Sequence, residues 1–144
     1  MFVSMIDNFS IDKIEEVSNP DLDFKTPSGG LWASTYTPEA DYVSSWHRFA
    51  KRGGLSIKDS FVLIDIKSDA DIYTIDSIDD LNSLLDENDS LDFERLSERF
   101  DAIHLTKDGV KATSNTSHLY GWDVESLFIM NKDCINDYQY KEVK

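Results

Sequence analysis

The chain has 144 residues and a net charge of −14, and 40% of its residues are hydrophobic. This length and composition indicate one globular domain with a single core, so we expect residues 1–144 to form one domain. The excess of acids argues against direct binding to nucleic acid or to an anionic membrane, and it permits docking onto a basic protein surface.

The sequence contains no run of about 18 apolar residues, and its start lacks the basic residues and apolar core of a signal peptide. The single cysteine, Cys134, cannot form an internal disulfide, and we expect it to pack beside Ile135 as a small apolar residue. These features predict a cytoplasmic protein without a membrane span.

In chain order, the start of the sequence predicts two short strands separated by a helix and a loop. Residues 2–6 predict the first strand. Ser10 is a typical N-cap and is followed by apolar residues at helical spacing, so a helix is predicted over 10–17. Prolines and glycines predict a loop over 19–30, and residues 31–35 predict a strand that leaves this loop.

A second helix is predicted to begin at 37–39, where a capping hydroxyl, a proline and an acid follow one another. The helix is expected to end at 53–54 and to place four residues on one face: Tyr42, Trp46, Phe49 and Ala50. Trp46 is interpreted as a core anchor. The almost continuous apolar run over 61–66 predicts a central strand.

The second half of the chain predicts short elements. Ser77 is expected to cap a helix that runs to Leu85, and apolar spacing over 91–100 predicts another helix. Asp108 and Gly109 predict a turn between two strands. The remaining strands are predicted at 72–75, 102–105, 126–130 and 135–140. Strands dominate and the short helices cluster, which predicts an α+β domain.

Charge is uneven along the chain. Residues 65–101 contain thirteen acids against three bases. The acids expected to form a binding face are Asp76, Asp79, Asp80, Asp86, Glu87 and Asp89. Residues 25–58 instead carry an excess of bases, including Arg48 and Arg52. A basic patch beside a Gly-rich turn can hold a phosphorylated small molecule; the alternative is that these bases only offset neighbouring acids.

Two acids and a tryptophan precede the apolar strand predicted at 126–130. A carboxylate at the lip of a strand, such as Glu125, can point into a cleft while the strand holds it still, which suits an acid that orients a hydroxyl. The alternative is a turn before an edge hairpin, with Asp123 and Glu125 simply solvated.

The three histidines show no spacing typical of a metal site, so no metal is predicted. His104 lies within a predicted strand. It either faces a cleft or is a structural residue with its hydrogen bonds satisfied.

Several pieces of the chain, taken in order, resemble the ADP-ribosyltransferase fold. Gly30-Leu-Trp32-Ala-Ser34 is similar to the Gly-x-aromatic-x-Ser/Thr strand that lines the nicotinamide pocket of that family. The predicted helix over 38–50, the core strand over 61–66, Phe100-Asp-Ala-Ile103 and the Glu-led strand from Glu125 to Ile135 follow in the family's order. The resemblance spans roughly residues 29–136 and implies a single domain with a split sheet and short helices.

The resemblance implies that NAD is the cofactor. Glu125 would be the catalytic acid that engages the ribose of NAD, and Ser34 would support the nicotinamide ribose or the strand itself. Gly30 and Trp32 would form the nicotinamide wall, and one of two bases would hold phosphate: Arg48 or Arg52. We therefore expect Trp32, Ser34 and Glu125 to face one cleft.

The chain departs from the family on the first strand, where the family has an Arg or His that holds the dinucleotide. Residues 2–7 contain neither, and Ser4 or Lys25 are the candidates to replace it. Three functions remain open. They are transfer of ADP-ribose to a protein or nucleic acid; catalytically silent inhibition of a basic, nucleic-acid-binding host protein, as in phage-encoded anti-CRISPR proteins; and binding of NAD or an ADP-ribose derivative without reaction.

Overall fold

The computed structural model describes residues 1–6, 9–21, 26–38, 41–55 and 60–142. Seven strands lie in these ranges: β1 Phe2–Ser4, β2 Leu31–Thr35, β3 Ser60–Ile66, β4 Ile72–Ile75, β5 Ala102–Leu105, β6 Ser126–Ile129 and β7 Ile135–Glu142. The same ranges contain four α-helices: α1 Ser45–Arg52, α2 Ile78–Asn82, α3 Phe93–Arg99 and α4 Lys107–Ala112.

The strands form one mixed sheet in the order β4-β5-β6-β2-β1-β3-β7. Strands β4 and β5 pair in parallel, and the other described pairs are antiparallel. The sequence-based α+β class is confirmed. The apolar run in β3 is explained by its place between β1 and β7, with four consecutive buried residues from Phe61 to Ile64.

The sheet opens between β1 and β2. The two strands pair at Phe2↔Thr35 and Val3↔Ser34. Beyond that point β2 is held from its other side, where Leu31 to Ala33 pair with β6. Strands β1 and β2 therefore diverge, and residues of both line one cleft.

Alternating side chains give the sheet two apolar faces. On one face, Phe128 of β6 and Ile103 of β5 pack with Leu81 of α2 and with Phe93 and Leu96 of α3. The opposite face carries a second cluster, formed mainly by Leu31, Ala33, Val62, Ile64, Leu127, Ile129, Cys134 and Ile135. Because β6 contributes to both clusters, its four residues are all buried.

Most predicted strands and two predicted helices are confirmed. Strands β2, β4 and β5 have the predicted bounds, β7 lies at the edge of the sheet, and the helix over 91–100 appears as α3. The hydroxyl of Ser77 caps α2 by accepting from the backbone N–H of Asp80, as predicted, but the helix ends at Asn82 and not at Leu85. Cys134 packs beside Ile135 as expected, and burial raises the pKa of its thiol to about 11.

The helix predicted over 10–17 is wrong. Its only helical turn is a 3-10 turn at Ile11–Lys13, and Ser10 makes no side-chain cap. The segment is extended afterwards because Ser18 and Ser28 exchange two backbone hydrogen bonds, and the carbonyl of Glu15 accepts from the N–H of Gly30. Long-range pairing has overridden the local helical spacing.

The predicted start of the next helix at 37–39 is also wrong. Helix α1 begins at Ser45, with the hydroxyl of Ser44 accepting from the N–H of His47. The hydroxyl of Thr37 instead donates to the carbonyl of Tyr42 and closes a loop. Residues 39–40 lie outside the described residues.

The predicted apolar face of this helix is rotated. Helix α1 buries His47 and Ala50, whereas Trp46 and Phe49 remain 39% and 37% exposed and stack on each other. Trp46 is therefore not a core anchor. A fourth correction concerns Gly109, which lies inside α4 and not in a turn between strands. A Cβ there would meet the carbonyl oxygen of Ile75 at 2.0 Å, so the glycine permits close packing of α4 on β4.

Candidate functional site

Glu125 directly precedes β6, and its side chain is only 5% exposed. Its Oε1 lies 2.8 Å from the Ser34 hydroxyl and 2.9 Å from the backbone N–H of Thr35. Its Oε2 lies 2.8 Å from the Thr35 hydroxyl and 2.6 Å from Nε2 of His104. A carboxylate accepts about four hydrogen bonds, so these contacts fill its capacity.

Strand register explains how distant residues meet here. Strand β2 pairs with β6 through Leu31↔Ile129 and Ala33↔Leu127, and the same register places Thr35 beside Glu125. His104 comes from β5, which pairs with β6 on the opposite side. The carboxylate therefore lies among three neighbouring strands.

Ser34 contacts Glu125 twice. Its hydroxyl lies 2.9 Å from the backbone carbonyl oxygen of Glu125, as well as 2.8 Å from Oε1. A hydroxyl has one proton to donate, so the two oxygens share it. Ser34 is 1% exposed, and its role in this structure is to tie β2 to the residue that leads into β6.

Two opposing effects set the pKa of Glu125. Burial raises the pKa because it disfavours the charged carboxylate. Hydrogen bonds from His104, then from Thr35 and Ser34, favour the charged form and outweigh burial, so the net pKa lies below its usual value. The site holds an ionised carboxylate at neutral pH. Since that group only accepts hydrogen bonds, Nε2 of His104 carries the proton in their contact.

The cleft between β1 and β2 has a volume of about 470 Å³. Ser4, Met5 and Ile6 line it from the first strand and the residues that follow. The other lining residues include Gly30, Trp32, Ala33, Trp46, Asp123, Val124 and Ser126. This volume lies within the range of pockets that hold small molecules, roughly 300–1,000 Å³.

The expected meeting of Trp32, Ser34 and Glu125 at one cleft is found only in part. Ser34 and Glu125 touch each other, whereas Trp32 lines the cleft. The side chains of Ser34 and Glu125 are buried and do not line it, although Val124 and Ser126, the neighbours of Glu125, do. The donors on β2 and β5 explain the difference, because they draw the carboxylate into the sheet.

Trp32 and Gly30 both have structural roles beside the cleft. The Trp32 ring stacks on Phe128 at 4.5 Å and meets Trp122 edge-on at 4.8 Å between ring centroids, while the residue remains half-buried. Gly30 has a φ of +63°, and a Cβ there would lie 2.7 Å from the carbonyl oxygen of Ile129. A side chain at this position would therefore force β2 away from β6.

Arg48 and Arg52 are not part of the cleft wall. Both are exposed on α1, the helix from which Trp46 reaches the cleft. Lys25, a candidate for the missing first-strand base, lies outside the described residues, while Ser4 is buried and lines the cleft.

Sequence reasoning missed Thr35 and did not link His104 to Glu125. Thr35 is the next residue after the predicted Ser34, so it would have been recognised as a site residue if the pairing of β2 with β6 had been known. His104 is the one polar side chain in β5, whose other residues are Ala102, Ile103 and Leu105. A polar residue within an apolar strand is a signal, but its partner follows only from the strand order.

Comparison with protein-family models, with curated proteins and with solved structures finds no match to this chain. Within the described ranges, no three His, Cys, Asp or Glu side chains gather as a metal site would require. No helix in the part of the chain that the structure describes is long and apolar enough to cross a bilayer.

Proposed function

We propose that this protein is an NAD-dependent mono-ADP-ribosyltransferase that modifies a protein or nucleic-acid target. The proposal is supported above all by the contact between Ser34 and Glu125, 91 residues apart in the chain. These two residues come from two of the segments that resemble the ADP-ribosyltransferase family, and they meet beside an open cleft.

The finer fold assignment, an ADP-ribosyltransferase-like split sheet, is part of this proposal. It is supported by the divergence of β1 and β2 after two paired positions. The cleft that results has Gly30 and Trp32 in its wall, as the resemblance implies for the nicotinamide pocket. A cytoplasmic location is proposed with it, in agreement with the free, buried Cys134.

In the proposed reaction, nicotinamide would lie beside Trp32 in the cleft. Glu125 does not line the cleft, so the adjoining ribose would have to reach past the wall formed by Val124 and Ser126 to donate a hydrogen bond to it. Bound NAD would supply the ADP-ribose group: nicotinamide would leave with the electron pair of its bond to ribose, a nucleophile of the target would bond to the same ribose carbon, and the proton of that nucleophile would pass to solvent. Because the Glu125 acceptor sites are filled, the ribose hydroxyl must displace one donor. The Thr35 hydroxyl is the best candidate, since Thr35 is exposed while Ser34 is buried.

The bases of α1 are proposed to hold the diphosphate. Trp46 lines the cleft from α1, and Arg48 and Arg52 are exposed on the same helix. A dinucleotide that begins at Trp32 and leaves the cleft past Trp46 would run along this helix. Arginine is well suited to bind phosphate there because its guanidinium group donates two parallel hydrogen bonds.

The test is incubation of the protein with NAD labelled in the ADP-ribose part, together with candidate acceptors. Wild type should release nicotinamide and transfer label. Glu125→Gln should lower turnover by a factor on the order of 10² or more, because a positioned acid contributes about that much. Glu87→Gln, an exposed acid outside the site, is the matched control and should behave as wild type.

Retention of NAD without release of nicotinamide would contradict the transferase proposal and leave a binding protein. Equal turnover in wild type and Glu125→Gln would remove Glu125 from the mechanism. Absence of both binding and turnover would leave the second candidate.

That second candidate is an acidic inhibitor, of the phage anti-CRISPR kind, that covers a basic nucleic-acid-binding surface without catalysis. It is favoured by the exposed acids of residues 76–89, among them Asp76, Asp79, Glu87 and Asp89. Binding to purified basic nucleic-acid-binding proteins should weaken as salt rises, because charge steering is screened over about 8 Å at physiological ionic strength. Binding that is insensitive to salt would reject this candidate.

A further inference from the structure

We propose that His104 is the positioning residue for Glu125, and that it holds Oε2 of the carboxylate in place while a substrate hydroxyl displaces Thr35. The role of His104 in turnover rests on the proposed function. Its hydrogen bond to Glu125 does not depend on the proposed function, and the experiment below tests the positioning of Glu125 and the effect on turnover separately.

The donors around Glu125 are unequal. Ser34 and the backbone of Thr35 hold Oε1 and are fixed by β2 itself. Oε2 is held by the Thr35 hydroxyl, on an exposed side chain that can rotate, and by His104. When the Thr35 hydroxyl leaves, His104 is the one hydrogen-bond partner left on Oε2 among the described residues. The orientation of the carboxylate plane then depends on the imidazole.

The imidazole is itself well supported. His104 is in β5, which pairs with β4 on one side and β6 on the other, and its ring meets the edge of Phe2 at 5.6 Å between centroids. Its side chain is 21% exposed. A ring fixed by two strand pairings and an aromatic contact has little freedom to leave Oε2, unlike a rotating hydroxyl.

His104 also differs from the other donors in charge. The described side chains hydrogen-bonded to Glu125 are those of Ser34, Thr35 and His104, and of these three His104 alone can carry a positive charge. Phe2, the aromatic neighbour of the imidazole, is uncharged. A buried carboxylate is costly unless it is paired and hydrogen-bonded, so the imidazole is the group best able to offset this cost.

The experiment uses the whole protein, with carboxyl-¹³C glutamate and NMR titration of Glu125. His104→Leu removes the donor, and we expect the pKa of Glu125 to rise above that of wild type. His104→Gln keeps an N–H donor without the charge and should give an intermediate pKa. His118→Gln is the control, because the His118 ring contacts the carbonyl of Asp89 and not Glu125.

Turnover is measured on the same proteins. Misplacement of a catalytic group by about 1 Å can cost roughly 10²-fold, so His104→Leu should lose about that much in kcat, with partial rescue in His104→Gln. In His104→Leu, the acidic limb of the pH–rate profile should move to higher pH together with the pKa of Glu125. A purely structural His104 would change stability but leave that limb in place.

The outcomes separate the two claims. If Glu125 titrates alike in wild type, His104→Leu and His104→Gln, the positioning role is wrong. If the pKa of Glu125 rises but none of the proteins releases nicotinamide, the proposed function fails and the hold of His104 on Glu125 stands. Should His104→Leu not fold, His104→Gln alone decides, because an amide in place of the imidazole must still change the pKa of Glu125.

Discussion

Glu125 and the acids of residues 65–101 use the same chemical group in opposite ways. Glu125 is buried, and donors from β2 and β5 fill its acceptor sites. All thirteen acids of residues 65–101 are exposed or half-buried. In a chain with 28 acids, the number of donors that reach a carboxylate separates a candidate site from a solvated surface.

Some acids of residues 65–101 still have a structural role, at a turn or at a helix end. Asp86 accepts from the backbone N–H groups of Asn88 and Ser90 and closes a turn in which Asp89 has a φ of +59°. Asp92 caps α3, and the hydrogen bond from the side chain of Asn19 is the main reason that its pKa lies below the usual value. Such acids stabilise a turn or a helix end and do not build a cleft.

The largest expected effect is on stability at Glu125. Glu125→Leu leaves the Ser34 and Thr35 donors and the His104 imidazole without their acceptor inside the sheet. We expect the free energy of unfolding to fall by about 3 kcal/mol, as when one partner of a buried pair is removed. Urea denaturation measures it, and Glu87→Leu is the surface control, which should change little. Equal effects of the two variants would contradict the contrast between buried and surface acids.

A second prediction concerns pH. The pKa of Glu125 in the folded protein lies below its ordinary value of 4.5. Its ionisation therefore stabilises the fold above pH 4.5, and this contribution is lost as pH falls through the folded pKa. The stability difference between wild type and Glu125→Gln should be constant above about pH 6 and shrink toward about pH 3. Because every other acid is common to both proteins, a difference that grows on acidification would show that the pKa is raised instead.

Much of this contrast was predictable from the sequence, and the part that was not depends on strand pairing. The apolar patterns that define β2, β5 and β6 can be recognised from short stretches of sequence. Ser34 and Glu125 were recognised as candidate site residues in the same way. The place of Glu125 between β2 and β5 follows from the strand order, which no local pattern encodes. His104 could thus be recognised as unusual within its strand, but not as a partner of Glu125.

Two of the errors have the same origin. Residues 10–17 have helical spacing, but the bridge between Ser18 and Ser28 and the hydrogen bond from Gly30 to Glu15 keep the chain extended. Gly109 resembles a hairpin turn in sequence, and only the packing of α4 against Ile75 shows why glycine is needed there. Local propensity failed wherever a contact distant in sequence competed with it.

The third prediction compares two neighbouring acids of the acidic surface, Asp86 and Glu87. Asp86→Ala removes the acceptor for two backbone N–H groups, so we expect a loss of about 1 kcal/mol, the usual net value of such a hydrogen-bonded turn. Its neighbour Glu87 is exposed, and Glu87→Ala is the matched control. Thermal denaturation of the pair gives the comparison. If the two alanine variants are equally stable, Asp86 is only a solvated charge.

The smallest effect is expected when exposed acids are neutralised together. Asp79, Glu87 and Glu98 are exposed, so Asp79→Asn, Glu87→Gln and Glu98→Gln in one protein should keep stability within about 0.5 kcal/mol of wild type. At low salt the triple variant should be slightly more stable than wild type, because acids at this density repel one another. This gain in stability should fade as salt screens the charges. Denaturation midpoints from low to high salt test this. A large loss of stability would show that these carboxylates make contacts comparable to those of Glu125, and the distinction between the two regions would fail. An unchanged fold with weaker binding to a basic protein would instead assign the acidic surface to partner recognition, and Glu125 to a separate task.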